Sequence, residues 1–385
     1  MDPARDFSAE VIAREDAFHA AVRPWSYATL FLGLAVVCLL GLTPLGARLA
    51  ELAARPFGGH WAAQAALGAV LVVAISRLAT VPLAMKVELV LREYGLSVRS
   101  WPLWFSDRAK SLALAAVIAA VAITVLVGLV RALPTTWWLA AAGAAAGLVV
   151  VGSLLWPVLV EPLFLKATPM AEGTLRTEIL AMAQRDGVPA QDVLVAEASR
   201  RTTAHNAYVS GFGPTRRIVL YDTLVENAPR EDVLLITAHE LGHAARRDVA
   251  RGTAVGALGA ALAVGLLALA VRPEGWLAAR AGVSGLADGR VAALILALAA
   301  IAGLLVSPVE NLISRRVEAT ADVHALDLTR DPQGYVSMQQ RLAVQNLSDL
   351  DPHALAYVWF ASHPTAPERI AMARDWARLN GVPTP

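Results

Sequence analysis

The chain has 385 residues, 56% of them hydrophobic and only 17% charged, with a formal net charge of +1 at pH 7. A soluble protein carries about a quarter charged residues, so much of this chain is not built for water, and the near-neutral balance argues against a nucleic-acid partner. A single cysteine, Cys38, rules out an internal disulfide. Its apolar surroundings raise a thiol's pKa and make it a poor nucleophile.

Taken in chain order, six windows are apolar enough to cross a bilayer: 27–47, 62–85, 111–130, 136–160, 252–271 and 291–309. Crossing the hydrocarbon core takes roughly 20 helical residues. Five windows hold no charge and the second holds only Arg77. One such window could be a buried core helix, but six point to a polytopic membrane protein. The first lies too late and runs too long for a cleaved signal peptide, so it is expected to stay as a membrane helix. Arg77 could face a cavity or snorkel to the nearby membrane surface, and the sequence assigns it neither role.

The basic residues set an orientation, because short loops rich in Lys and Arg stay in the cytoplasm. The N-terminal tail has Arg5, Arg14 and Arg23, and the loop after the second window has Lys86, Arg92, Arg99, Arg108 and Lys110. The other early loops are poorer, with Arg48 and Arg55 in one and Arg131 in another, while 272–290 is ambiguous. The bias places both termini and the polar 161–251 region in the cytoplasm. The fifth and sixth windows then form a hairpin that brings residues just before 252 and just after 309 together. The expected domains are a four-span membrane domain at 1–160 and a polar domain at 161–385, interrupted by that hairpin at about 252–309.

Chemistry concentrates at the two feet of the hairpin. In "TAHELGHAARRD" (237–248), His239 and His243 are four apart and share one helix face. Two imidazoles so placed can chelate one zinc ion, with Glu240 beside them to take a proton from water. A catalytic zinc needs a third protein ligand, and "NLISRRVEATAD" (311–322) offers Glu318, with Asp322 one turn on to orient a histidine. The bland reading pairs Glu318 with Arg315 or Arg316, or leaves it with Asp322 on a solvated face. Upstream, "NAYVSGFG" (206–213) reads as a strand and glycine turn, and "RRIVLYDTL" (216–224) reads as a strand. His205, His324 and His353 have no such companions and read as solvated or locally bonded.

These stretches, with "SHPTAPER" (362–369) and "REYGLSVRSWPLWFSDRAK" (92–110), resemble the type I CAAX prenyl proteases, integral-membrane zinc peptidases that trim prenylated C-termini. The ordered set runs from about residue 75 to 375. The resemblance implies a predominantly α, polytopic membrane fold with about six transmembrane helices and a cytoplasmic α+β zinc-peptidase (gluzincin-like) domain. It implies one Zn2+ per chain on His239, His243 and Glu318, with Glu240 as general base. It also implies His363 as an oxyanion donor, Asp322, Asn311 and Arg369 as supports, and Asn206, Ala207 and Tyr208 on the edge that receives substrate. An ordinary hairpin core is the competing reading for Tyr208, and a turn-stabilising role is the competing one for His363. Eukaryotic members carry a further N-terminal membrane helix that this chain lacks, which agrees with a cytoplasmic N-terminus. The implied partners are the bilayer and a peptide or protein substrate, lipidated in the family, and the implied location is a bacterial inner membrane. Two rivals are a membrane quality-control peptidase acting on unprenylated proteins and, in another class, an inactive receptor or transporter on a peptidase fold.

Overall fold

The computed structural model describes residues 2–188, 190–211, 213, 216–272 and 275–385. The first half is helical: α1 (Ala9–Gly41), α2 (Leu45–Ala54), α3 (Trp61–Ala79), α4 (Val81–Glu93), α5 (Trp101–Ala132) and α6 (Trp137–Leu155). A short α7 (Glu161–Phe164) leads into β1 (Ala167–Pro169), α8 (Thr174–Arg185), β2 (Asp192–Ala196), β3 (Ala207–Ser210) and β4 (Arg217–Tyr221). Then come α9 (Asp222–Asn227), α10 (Arg230–Ala245), α11 (Asp248–Ala270), α12 (Trp276–Ala281) and α13 (Ala292–Thr329). The chain ends with α14 (Pro332–Asn346), α15 (Ala354–Phe360) and α16 (Ala366–Leu379).

Six helices among the described residues are long and apolar enough to cross a membrane, and each expected window maps onto one. Two boundaries move. α1 stops at Gly41, where a Thr43–Pro44 turn interrupts the 27–47 window. The 62–85 window breaks at Thr80, because Pro82 opens a new helix rather than continuing α3. α13 runs 38 residues, so the sixth span continues without a loop into the polar half. Pro308 lies inside it and cannot donate to the carbonyl of Leu304, four residues back. That carbonyl instead accepts from Trp359 Nε1 (3.2 Å) and from Ser307 Oγ (3.0 Å), which ties α15 to the helix where its own ladder is broken.

The polar half is built on a four-stranded mixed sheet in the order β1-β2-β4-β3. β2 and β4 are parallel, and β3 is antiparallel to β4 with Tyr208 opposite Val219. β3 is therefore an edge strand. The "DTL" end of the expected second strand turns into α9, while the glycine turn expected after Ser210 falls partly outside the described residues. One side of the sheet, through Ile218, Leu220 and Ala207, joins Ile179, Leu224, Val233, Leu241, Leu326 and Ile370 in the main core of this half.

The start of the chain belongs to that core too. Phe7, Val11 and Ile12 pack into it, Arg374 pairs with Asp6, and His19 Nε2 lies 2.9 Å from the Leu347 carbonyl. Residues expected at the head of a separate membrane domain instead brace the polar half. The 94–110 segment does the same, through a Ser97–Thr202 bridge and a bidentate Arg201–Asp107 pair.

Candidate active site

α10 starts after Pro229 with Glu231 and Asp232 in its first turn, where the helix dipole favours acids. It ends at Arg247, whose left-handed backbone (φ 57°) reverses the chain into α11. That reversal returns Asp248 to His243, with Oδ2 3.1 Å from Nδ1. Against α13 the spacing of α10 is set by Gly242. A Cβ there would meet His324 Cβ at 3.1 Å and the Ala321 backbone at 3.2 Å. The absent side chain lets the two helices approach until the histidines face Glu318.

The three side chains converge. His239 Nε2 and His243 Nε2 are 3.2 Å apart, and the Glu318 carboxylate oxygens lie 3.3 and 3.4 Å from them. His239 Nδ1 faces Asp322 Oδ1 at 2.8 Å, as His243 Nδ1 faces Asp248. In neutral rings those contacts hold the proton on each Nδ1, so both Nε2 lone pairs point inward. Glu318 Oε2 is buried and accepts no hydrogen bond among the described residues. Converging acceptors without a donor repel one another, and a cation at their centre would relieve this. Burial opposes a charge on His239, yet Asp322 and Glu318 favour one and outweigh it, so the cluster attracts positive charge, which a proton supplies when no metal is bound. The local field favours positive charge at this point, and two imidazoles with a carboxylate fit a divalent metal.

The neighbours fall into place around this cluster. Glu240 lines the same cavity without joining the three acceptors, and burial pushes its carboxyl up while both histidines pull it down. Arg369 grips both oxygens of the fully buried Asp322, with Nε to Oδ2 at 2.8 Å. Its guanidinium also donates at 3.2 Å to the amide oxygen of Gln339, which accepts a hydrogen bond from the Tyr335 hydroxyl as well. His363 stands half-exposed at the rim with Nε2 3.3 Å from Glu318 Oε2, and burial lowers its pKa.

The ion pair with Arg315 that the competing reading of Glu318 required does not form: Arg315 donates to the Tyr357 and Ala361 carbonyls instead. Asn311 departs from its expected place beside the ligands. It lies two helical turns before Glu318, about 10 Å along the axis, and donates to the Trp359 carbonyl at 2.6 Å. Its contact holds α15 rather than a ligand.

Asn206 lines the cavity of about 530 Å³ that contains the cluster, and its carbonyl accepts from the Tyr221 N–H at the start of β3. Ala207 is buried in the core. Tyr208 donates to Glu161 Oε1 at 2.5 Å, and Ser210 donates to Glu161 Oε2 at 2.9 Å. Sequence reasoning missed Glu161, which sits just past a π-helical turn at Trp156–Val160, and it missed Asp248. Asp248 closes the quoted "TAHELGHAARRD", yet nothing in that string signals a left-handed turn at Arg247. His205 was also underread: it lines the cavity, and its Nε2 is buried without a partner among the described residues. His324 is tied to both oxygens of Asp186, and His353 caps α15.

Comparison with known proteins agrees with this geometry. The model described as peptidase family M48 matches residues 169–377, and the one described as CAAX prenyl protease N-terminal, five membrane helices, matches residues 7–166. An uncharacterized metalloprotease, YhfN of Bacillus subtilis, is 31% identical over 305 residues, covering 78% of this chain and 70% of that protein. CAAX prenyl protease 1 of Saccharomyces cerevisiae is 34% identical over 176 residues, covering 44% of this chain and 38% of the yeast protein. The crystal structure of Ste24p from S. mikatae has the same fold, with a TM-score of 0.83 at 23% identity over 97% of this chain and 91% of that one. With over half of its length matched by the family model and a His-His-Glu cluster that could hold a metal ion inside the match, the chain belongs to peptidase family M48 and is a multi-pass membrane metalloprotease.

Proposed function

We propose that the metal is zinc, held by His239, His243 and Glu318, and that Glu240 is the general base for peptide hydrolysis. The observation behind this is the convergence of three acceptor atoms within 4.8 Å of one another, beside a carboxylate that is not one of them. When bound, zinc supplies Lewis acidity that activates a water and polarises the scissile carbonyl. Glu240 accepts the proton of the attacking water and passes it to the leaving amine. His363, at the rim, donates to the oxyanion. Asp322 and Asp248 fix the histidine tautomers, and Arg369 holds Asp322 in place. The open edge of β3 suits a substrate that adds as an extended strand beside Asn206, Ala207 and Tyr208.

The arginine bias of the loops supports a cytoplasmic site in a bacterial inner membrane. The named relatives support a prenylated C-terminal segment as substrate. A peptidase domain alone needs no membrane helices, so six of them make sense if the substrate carries an apolar group. Each buried methylene contributes about 0.8 kcal/mol, which gives a fifteen-carbon chain ample binding energy. The test compares kcat/KM for a farnesylated CAAX peptide and the same peptide unmodified, in detergent and in liposomes. Glu240→Gln serves as the blank and should keep its zinc while losing nearly all hydrolysis. The farnesylated peptide should be cut more efficiently. Equal values in both media would leave unprenylated membrane proteins as the better substrate class, and zinc lost from Glu240→Gln would make Glu240 a ligand.

A further inference from the structure

The cavity lined by His239, Glu240 and Glu318 has another charged feature in its wall: Arg23 from α1, paired with Asp349 in the segment after α14. The pair is built into the site. His19, one turn before Arg23, meets the Leu347 carbonyl and pins α1 to this segment. Asn346 then clamps His205 at the entrance to β3, accepting from its N–H at 2.9 Å and donating to its carbonyl at 3.1 Å. Arg23 therefore shares a cavity wall with His205 and Asn206, just before β3.

Two arginines line this cavity. Arg369 is sealed, with a side chain 12% exposed and its Nε and Nη2 committed to the fully buried Asp322. Arg23 is 32% exposed and its partner Asp349 is 27% exposed, so that pair can exchange. The other cavity acids, Glu240 and Glu318, would repel an incoming anion. A carboxylate entering a partly buried site needs a charged partner, and a guanidinium binds it bidentately. A substrate cut near its C-terminus brings such a carboxylate with it. At about 3.3 Å per extended residue, an end a few residues past the scissile bond still falls within the cavity of about 530 Å³ whose wall Arg23 shares with His239, Glu240 and Glu318.

We propose that Arg23 binds the free α-carboxylate of the substrate's last residue, with Asp349 holding the guanidinium until the substrate displaces it. This rests on the reading above that the site cuts near a C-terminus. One carboxylate replaces another, so Arg23 keeps a partner throughout, and the displaced Asp349 moves toward solvent, where its ion pair is weak.

The experiment uses zinc-loaded Glu240→Gln protein, which binds without cutting. Affinity is measured for four fluorescent CAAX peptides: farnesylated or not, each with a free acid or an amide at the C-terminus. The acid should bind about tenfold or more tightly than the amide, a gap of about one charge-assisted contact. Adding Arg23→Gln should bring the acid-to-amide ratio close to one, and Arg23→Lys should restore part of it. Adding Asp349→Asn should raise it, because a competitor is gone. Equal affinity for acid and amide, a ratio that survives Arg23→Gln, or no measurable binding of the acid peptides would overturn the proposal. The farnesyl contrast reports separately. If lipid matters and the terminus does not, prenyl recognition stands and Arg23 falls. If the terminus matters and lipid does not, Arg23 stands for unprenylated C-termini.

Discussion

His243 is oriented by a carboxylate that lies outside the HELGH pattern. Asp248 reaches Nδ1 only because Arg247 adopts a left-handed backbone that folds the start of α11 back onto the end of α10. Partners of this kind typically contribute 10–100-fold to metal affinity. Asp248→Ala should therefore weaken zinc binding by roughly that factor, measured by competition with a calibrated chelator. An unchanged affinity would mean the His243 ring is held by packing alone. Asp322 has the same relation to His239, and it was legible in the sequence because it shares a helix face with Glu318. Asp248 was not, since a turn of this handedness on arginine leaves no compositional trace.

At the level of elements, the site is the contact between α10 and α13, and Gly242 sets its depth. A methyl group there would press on the His324 side chain and on the Ala321 backbone at 3.1–3.2 Å, and the backbone cannot swing aside as a flexible side chain would. Gly242→Ala should lower thermal stability by about 1–3 kcal/mol, the usual cost of overpacking, and should also lower zinc occupancy because Glu318 retreats from the histidines. Calorimetry and metal analysis on the same preparation check both. Lost stability with full occupancy would show that the triad tolerates wider spacing. The apolar spans of α11 and α13 were readable from their windows. The strap of Asn311 and Trp359 over the break at Pro308 was not, because it joins segments nearly fifty residues apart.

The whole molecule couples membrane and polar halves through α13, through the N-terminal residues that pack on Leu326 and Ile370, and through Asp107 on Arg201. If α11 and α13 each cross the bilayer once, residues near 248 and 312 should share one side of the membrane and Ala287 should lie on the other. With Cys38→Ala as background, single cysteines at exposed Arg251 and Ala287 test this in sealed right-side-out vesicles. An impermeant reagent should label Ala287→Cys and spare Arg251→Cys. The reverse pattern would place the site outside.

The sequence alone determined the spans, the grouping of His239, His243 and Glu318, and the likeness to a peptidase family. Each of those is written in a local period: about twenty apolar residues for a bilayer, four residues for one helix face. The tertiary structure decided what no local period encodes. It placed Asp6 and His19 against residues more than three hundred positions away, and it moved Asn311 from the metal to α15. It set Arg23 in the catalytic cavity. Such contacts depend on how distant surfaces fit once the chain has closed on itself, and a sequence read without an alignment holds no direct record of that fit.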